Sequence, residues 1–223
     1  MKKDGLIQAF AIFFSILGSF GVERYINYRN EQNELKIIER NLLNEMEQNY
    51  YSLLSLRGTI ESVVAVNDSI LVNWEGITSK EIRNYHSNDL YDVNEKLEYI
   101  LSNSYGYKPK TMYINSLIHS GLILKINSKL LRNKIESFNL YVNSEWLGAN
   151  ENIELEIRDW FKQKSLIEKT LNNDLVFDKY KNFELFRMLR YRRTNEIYKL
   201  GTIRGNIRFL EDVIKEIKEN GLF

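Results

Sequence analysis

The sequence has no cysteine, a single proline (Pro109) and only two histidines in 223 residues. Without cysteine there is no disulfide scaffold, no cysteine nucleophile, no thiolate zinc site and no iron–sulfur cluster. His86 and His119 are far apart in the chain, so no histidine-rich metal site and no cofactor is expected. One proline and 11 glycines leave few helix breakers, which permits long helices. The 31 Lys+Arg nearly balance the 30 Asp+Glu. A formal charge of +1 lacks the basic excess of a dedicated DNA-binding domain, and no nucleic-acid partner is expected.

Catalytic signatures are missing too. There is no GxSxG, P-loop, dinucleotide fingerprint, HExxH or EF-hand loop. His119 precedes Ser120, but sequence neighbours seldom present nucleophile–base geometry. His86, among Asn and Ser, reads as solvated. Glu45 with Glu47, and Glu154 with Glu156, are two apart and diverge on a helix, and Glu151 with Glu154 reads as surface charge. The chain is not expected to be an enzyme, although scattered Glu, Arg and Tyr leave that as a third reading.

What is present begins at the N-terminus. Gly5 to Val22 carries no charge, and Gln8 is its one strongly polar side chain. Eighteen helical residues span about 27 Å, close to a bilayer's hydrocarbon thickness. Tyr25 and Tyr28 follow at the level of an aromatic belt. The run reads as an uncleaved signal-anchor. A buried soluble helix is a second reading. A signal peptide cleaved near Ser19-Phe20-Gly21 is a third. Residues 1–26 are therefore taken as the anchor and 27–223 as a helical extramembrane domain. Lys2 and Lys3 precede the run, while Arg24, Arg29, Lys36 and Arg40 follow it, so the positive-inside rule does not decide the orientation. Gln8, Ala11, Ser15 and Ser19 recur three or four apart. Small residues at that spacing let two helix backbones approach, which suggests a homo-oligomer or association with another membrane protein. Ala and Ser merely tolerated in lipid is the alternative.

The remainder reads as all-α, a long-helix bundle. Leu35, Ile38, Leu42, Met46, Leu53, Leu56, Ile60, Val63, Ile70 and Trp74 fall on one helix face. Asn49 and Asn67 interrupt it, which favours packing in a bundle over a coiled coil. Gly58 costs about 1 kcal/mol in a helix interior and marks the expected bend. Thr78 and Glu81 have capping-box spacing. Leu90, Val93, Leu97, Ile100 and Leu101 mark another helix. Pro109 suits a first helical turn, Gly121 a left-handed C-terminal cap, and Asn127 or Ser128 an N-cap. Helices are expected over Ile153–Leu171 and Phe177–Glu219.

The central segment reads Pro109-Lys110-Thr111-Met112-Tyr113, then Leu117-Ile118-His119-Ser120-Gly121-Leu122-Ile123-Leu124-Lys125-Ile126-Asn127, then Leu130-Leu131-Arg132. Placed after one span and a long charged helix, this resembles a large uncharacterised family of bacterial single-span membrane proteins. Its specific motif lies within about Pro109 to Tyr141. The resemblance implies a helical domain anchored in the bacterial inner membrane, on the periplasmic side, with a cytoplasmic domain as the alternative. It implies no activity.

Arg187, Arg190, Arg192, Arg193, Lys199, Arg204 and Arg208 form a basic stretch whose only acid is Glu196, with Tyr191 and Tyr198 interleaved. It reads either as a surface for phosphate, nucleic acid or anionic lipid headgroups, or as the intramolecular partner of an antiparallel acidic helix from Glu31 to Glu47. The second is preferred, because the net charge is balanced. The expected function is a scaffold, sensor or assembly component in the lipid bilayer, acting through protein contacts. A small oligomeric channel or membrane-disrupting effector is the alternative.

Overall fold

The computed structural model describes the backbone of residues 2–79, 96–102, 106–143, 148–167 and 173–223. Side chains are described for 13–79, 97, 100–102, 106–138, 152–164 and 177–223. The described elements are α1 (Lys2–Val72), α2 (Lys96–Leu101), α3 (Met112–His119), a 3-10 turn (Leu122–Lys125), α4 (Lys129–Asn143), α5 (Gly148–Ile167), α6 (Asn173–Tyr180) and α7 (Phe183–Asn220). No strand occurs among the described residues. The chain is all-α, as its periodicity predicts.

The frame is an antiparallel hairpin of α1 and α7. Polar contacts along it run in opposite chain directions. Glu39 accepts the Leu222 N–H at 2.7 Å, Lys218 meets Glu47 at 2.6 Å, and the Tyr50 hydroxyl donates to Glu211 at 2.9 Å. Arg204 then meets Glu61 at 3.1 Å, and Arg193 pairs with Asp68. Between them lie Leu42, Met46, Leu53 and Ile60 of α1 and Ile203, Ile207, Leu210 and Val213 of α7, all buried. Each such side chain contributes about 1.5–3 kcal/mol of burial. The apolar stripe of α1 is thus the inner face of the hairpin, with Trp74 just beyond the helix end.

Two lobes pack on this frame. The proximal lobe consists of α3, the 3-10 turn and α4, built around Leu117, Ile123, Leu131 and Ile135, with Phe138 stacked on Phe209. The distal lobe consists of α2, α5 and α6, built around Leu97, Ile100, Ile157, Phe161 and Phe177.

Local chemistry sets the boundaries. Gly121 adopts φ +73°, a left-handed conformation that glycine takes without strain, and it separates α3 from the 3-10 turn. Arg132 donates to the Leu124 and Ile126 carbonyls and closes that turn. Ser128, rather than Asn127, caps α4, its Oγ accepting the Leu131 N–H at 3.1 Å. Several boundaries differ from expectation. Pro109 lies before α3, which starts at Met112 after Thr111. The helix expected over Ile153–Leu171 runs Gly148–Ile167. The helix expected over Phe177–Glu219 is two helices, because Asn182 takes an extended conformation and its side chain caps α7. α1 runs through Gly58 without a break. The Thr78–Glu81 capping box, and Leu90 and Val93, fall on or across residues outside the described set.

The inward-facing polar residues of α1 hold backbone of other elements. The Asn49 amide exchanges two 2.8 Å hydrogen bonds with Lys110, accepting from its N–H and donating to its carbonyl. The buried Glu45 carboxylate accepts the Tyr113 and Ile114 N–H groups at 2.9 and 3.0 Å, serving the start of α3 from another helix. Asn67 donates to the Leu189 carbonyl at 2.9 Å. Asn49 and Glu45 thus pin the Lys110 segment and the start of α3 to the hairpin, and Asn67 ties α1 to α7 within it. Asn49→Ala leaves both Lys110 groups without their partner and is expected to lower stability by about 1–3 kcal/mol, read from the urea midpoint.

Candidate functional site

Three regions bear on function: the N-terminal part of α1, the basic stretch of α7 and the groove where the hairpin ends. From Phe13 to Glu34 every residue of α1 is exposed, and Leu35, next in the chain, is buried. This part includes Phe13, Phe14, Ile16, Leu17, Phe20 and Val22, with Phe14 65% and Phe20 62% exposed. Its own fold therefore leaves an apolar helix surface bare. Among the described residues no helix is long and apolar enough to cross a membrane. The uncharged run starts at Gly5, and its side chains through Ile12, including Gln8 and Ala11, lie outside the described set. The continuous helix places positions 8, 11, 15 and 19 on one face. Ser15 and Ser19 are exposed there, and the Ser19 hydroxyl donates to the Ile16 carbonyl at 2.8 Å.

The basic stretch is divided by the helix period into an inner and an outer set. Arg187, Arg190, Arg204 and Arg208 are exposed, and Arg193 is half-buried. Arg192 and Lys199 point inward and are not surface residues at all. The antiparallel partner is α1, as the charge pattern suggests, but in another register. The stretch meets Glu61 and Asp68 rather than Glu31–Glu47. Those acids face other groups: Glu31 meets Lys125, Glu39 the Leu222 N–H, Glu45 the start of α3, and Glu47 meets Lys218. The two helices lie side by side and antiparallel, so the first half of α7 faces the last part of α1.

The inner set forms a buried charged layer. Arg192 is 0% exposed and lies 2.8 Å from Glu196 and 3.5 Å from Glu154. Glu154 of α5, 2% exposed, also receives Lys199, and the Asn195 amide at 3.2 Å. Two cations and two carboxylates share the layer. On α7 it separates Leu185 and Leu189, in the distal core, from Leu200 and Ile203, in the proximal one. Glu154 is therefore a buried ion-pair partner and not a surface charge. The usable signal is the spacing of 185, 189, 192, 196, 199 and 203, one apolar face whose middle is charged.

Burial raises the Glu196 carboxyl above its ordinary value of 4.5, while the Arg192 charge pulls it down. A carboxyl that binds its proton more tightly folded than unfolded lowers stability as pH rises from its unfolded value through its folded one. Glu196→Gln removes this titration. Urea midpoints measured from pH 4 upward are expected to move in favour of the variant, relative to the parent, as pH rises.

The remaining groups are engaged locally. His119 Nδ1 lies 2.6 Å from the Asn115 carbonyl, and the Ser120 hydroxyl donates to the Leu117 carbonyl at 3.3 Å. No cluster of His, Cys, Asp or Glu suited to a metal ion occurs among the described residues. A groove of about 910 Å³ lies where α1 ends, lined by Leu71–Ile77 with Phe183 and Phe186 of α7. Comparison with protein-family models, with curated proteins and with solved structures finds no match to this chain.

Proposed function

We propose that this chain is a membrane-anchored helical scaffold that works through protein contacts. The observation that supports this reading is the bare apolar surface of α1 from Phe13 to Val22, which no described part of the fold covers. Such a surface is costly in water and stable in a bilayer or against a partner helix. Residues 23–34 then act as a charged stalk of roughly 18 Å, and the lobes begin at its far end. The stripe of Gln8, Ala11, Ser15 and Ser19 is the proposed contact between anchors, in a homo-oligomer or with another membrane protein. The bacterial inner membrane and a periplasmic domain belong to the same proposal and rest on the family resemblance.

The absence of native cysteine gives a clean test. A chain carrying Ser15→Cys alone, expressed in bacteria, is expected to stay with membranes through alkaline carbonate. Mild oxidation is expected to convert it to a disulfide-linked dimer, with less product from Leu17→Cys. Recovery in the soluble fraction refutes the anchor, and equal crosslinking at both positions refutes the stripe.

A further inference from the structure

We infer that the end of the hairpin remote from the anchor is a docking site for an acidic protein segment carrying an apolar side chain. This deepens the reading above, since it gives the contact surface a place and a chemistry, and it rests on that reading.

The groove has a preformed floor. Trp74 packs edge-on against Phe177, with ring centroids 6.0 Å apart, and at a tilt against Phe186 at 5.3 Å. Lys181 donates to the Ile77 carbonyl at 2.6 Å and the Glu75 carbonyl at 3.2 Å, which holds the turn after α1 in place. The walls combine bare apolar side chains, with Val72 83% and Phe183 77% exposed, with the polar Asn73 and Glu75. A volume of about 910 Å³ admits one or two large side chains.

The charge on the same side selects the occupant. Among the described residues, Arg193 and Arg204 of α7 each have a carboxylate partner, whereas Arg187 and Arg190, nearest the groove, have none within ion-pair distance. Each lies over an aromatic ring instead, Arg187 over Tyr191 at 5.9 Å and Arg190 over Phe186 at 5.8 Å. A guanidinium beside a ring keeps its N–H groups available, and its planar fork matches a carboxylate. A groove that bares Val72 and Phe183, with two such arginines beside it, fits a side chain such as Leu or Phe flanked by Asp or Glu. Anionic lipid is the poorer occupant. The groove stands roughly 70 Å along α1 from Val22, far from headgroups around an upright anchor. Glu75 lines the groove as well, and the three cations beside it, Lys181, Arg187 and Arg190, outnumber it.

The test uses the full chain in lipid nanodiscs and selects binders from a short random-peptide library. Enriched peptides are expected to combine an aromatic residue or leucine with Asp or Glu. Arg187→Glu with Arg190→Glu is expected to weaken them at least about tenfold, and Val72→Asp to do the same through the apolar contact. Arg208→Glu, several turns away, is expected to leave binding unchanged. All four positions are exposed, and unchanged helical circular dichroism and thermal midpoint will show that the variants remain folded. No enrichment refutes the inference. So do enriched peptides indifferent to the groove variants, and peptides displaced by oligothymidylate or by phosphatidylglycerol vesicles. Carbonate extraction of the same variants reads the anchor separately. Membrane-bound protein without peptide binding removes the docking site alone, and soluble protein removes the anchor alone.

Discussion

Glu154→Gln is expected to destabilise the folded domain by about 3–5 kcal/mol. Glutamine keeps the shape of glutamate but removes the carboxylate that faces both Arg192 and Lys199. Two cations then remain in a layer where Arg192 is fully buried, with only Glu196 on the same helix to offset them. Arginine does not shed its proton at accessible pH, so the usual escape of a stranded charge is closed. The measurement is a urea titration followed by circular dichroism at neutral pH. A loss below about 1 kcal/mol would show that water reaches the layer. Replacing the whole set, with Glu154→Leu, Arg192→Met, Glu196→Leu and Lys199→Met, is expected to be neutral or stabilising by about 1–4 kcal/mol. The contrast between the single and the full replacement separates the cost of a broken pair from the worth of an intact one.

Phe13→Arg is the second large effect, and it acts elsewhere. Phe13 sits at the middle of the uncharged run, where a charged side chain costs about 2.5–3.5 kcal/mol of insertion free energy. The expected result is a shift of roughly a hundredfold or more from membrane to soluble fraction. The urea midpoint of the lobes is expected to stay unchanged, because every residue of α1 from Phe13 to Glu34 is exposed. Tyr28→Arg, in the stalk, is expected to leave both measurements unaltered. If Phe13→Arg also lowered the midpoint, the apolar segment would be packing on the lobes and the anchor reading would fall.

How much of this is legible in the sequence depends on the range of the interaction. The inner face of α1 is legible, because Leu42, Met46, Leu53 and Ile60 are set by local periodicity. The pairing of α1 with α7 is legible in sign but not in register. Opposite charges on two helices favour an antiparallel pair, yet which acid meets which base follows from how the apolar residues of both helices interdigitate. Periodicity also treats Asn49 and Asn67 as interruptions, whereas each serves a backbone group distant in the chain. The charged layer is hidden for a related reason. Arg192, Glu196 and Lys199 count as polar and hence as outward, and only Glu154 arriving from α5 makes their burial tolerable. The split between α6 and α7 hangs on one local device, the Asn182 cap, beside an apolar pattern that continues across it. Of the docking groove, the sequence shows only Trp74 and the aromatic spacing of Phe183 and Phe186, since the hairpin brings them together.

α1 is one helix of 71 residues, from Lys2 to Val72, running through Gly58 without interruption. With its first part in a bilayer, this helix is a lever with no joint between fulcrum and tip. Transmembrane helices commonly tilt by about 20°. Over an arm of roughly 70 Å, that angle sweeps the tip sideways by roughly 24 Å. Bilayer thickness and neighbouring spans, which set the tilt, would then also set where the far end of the molecule can reach.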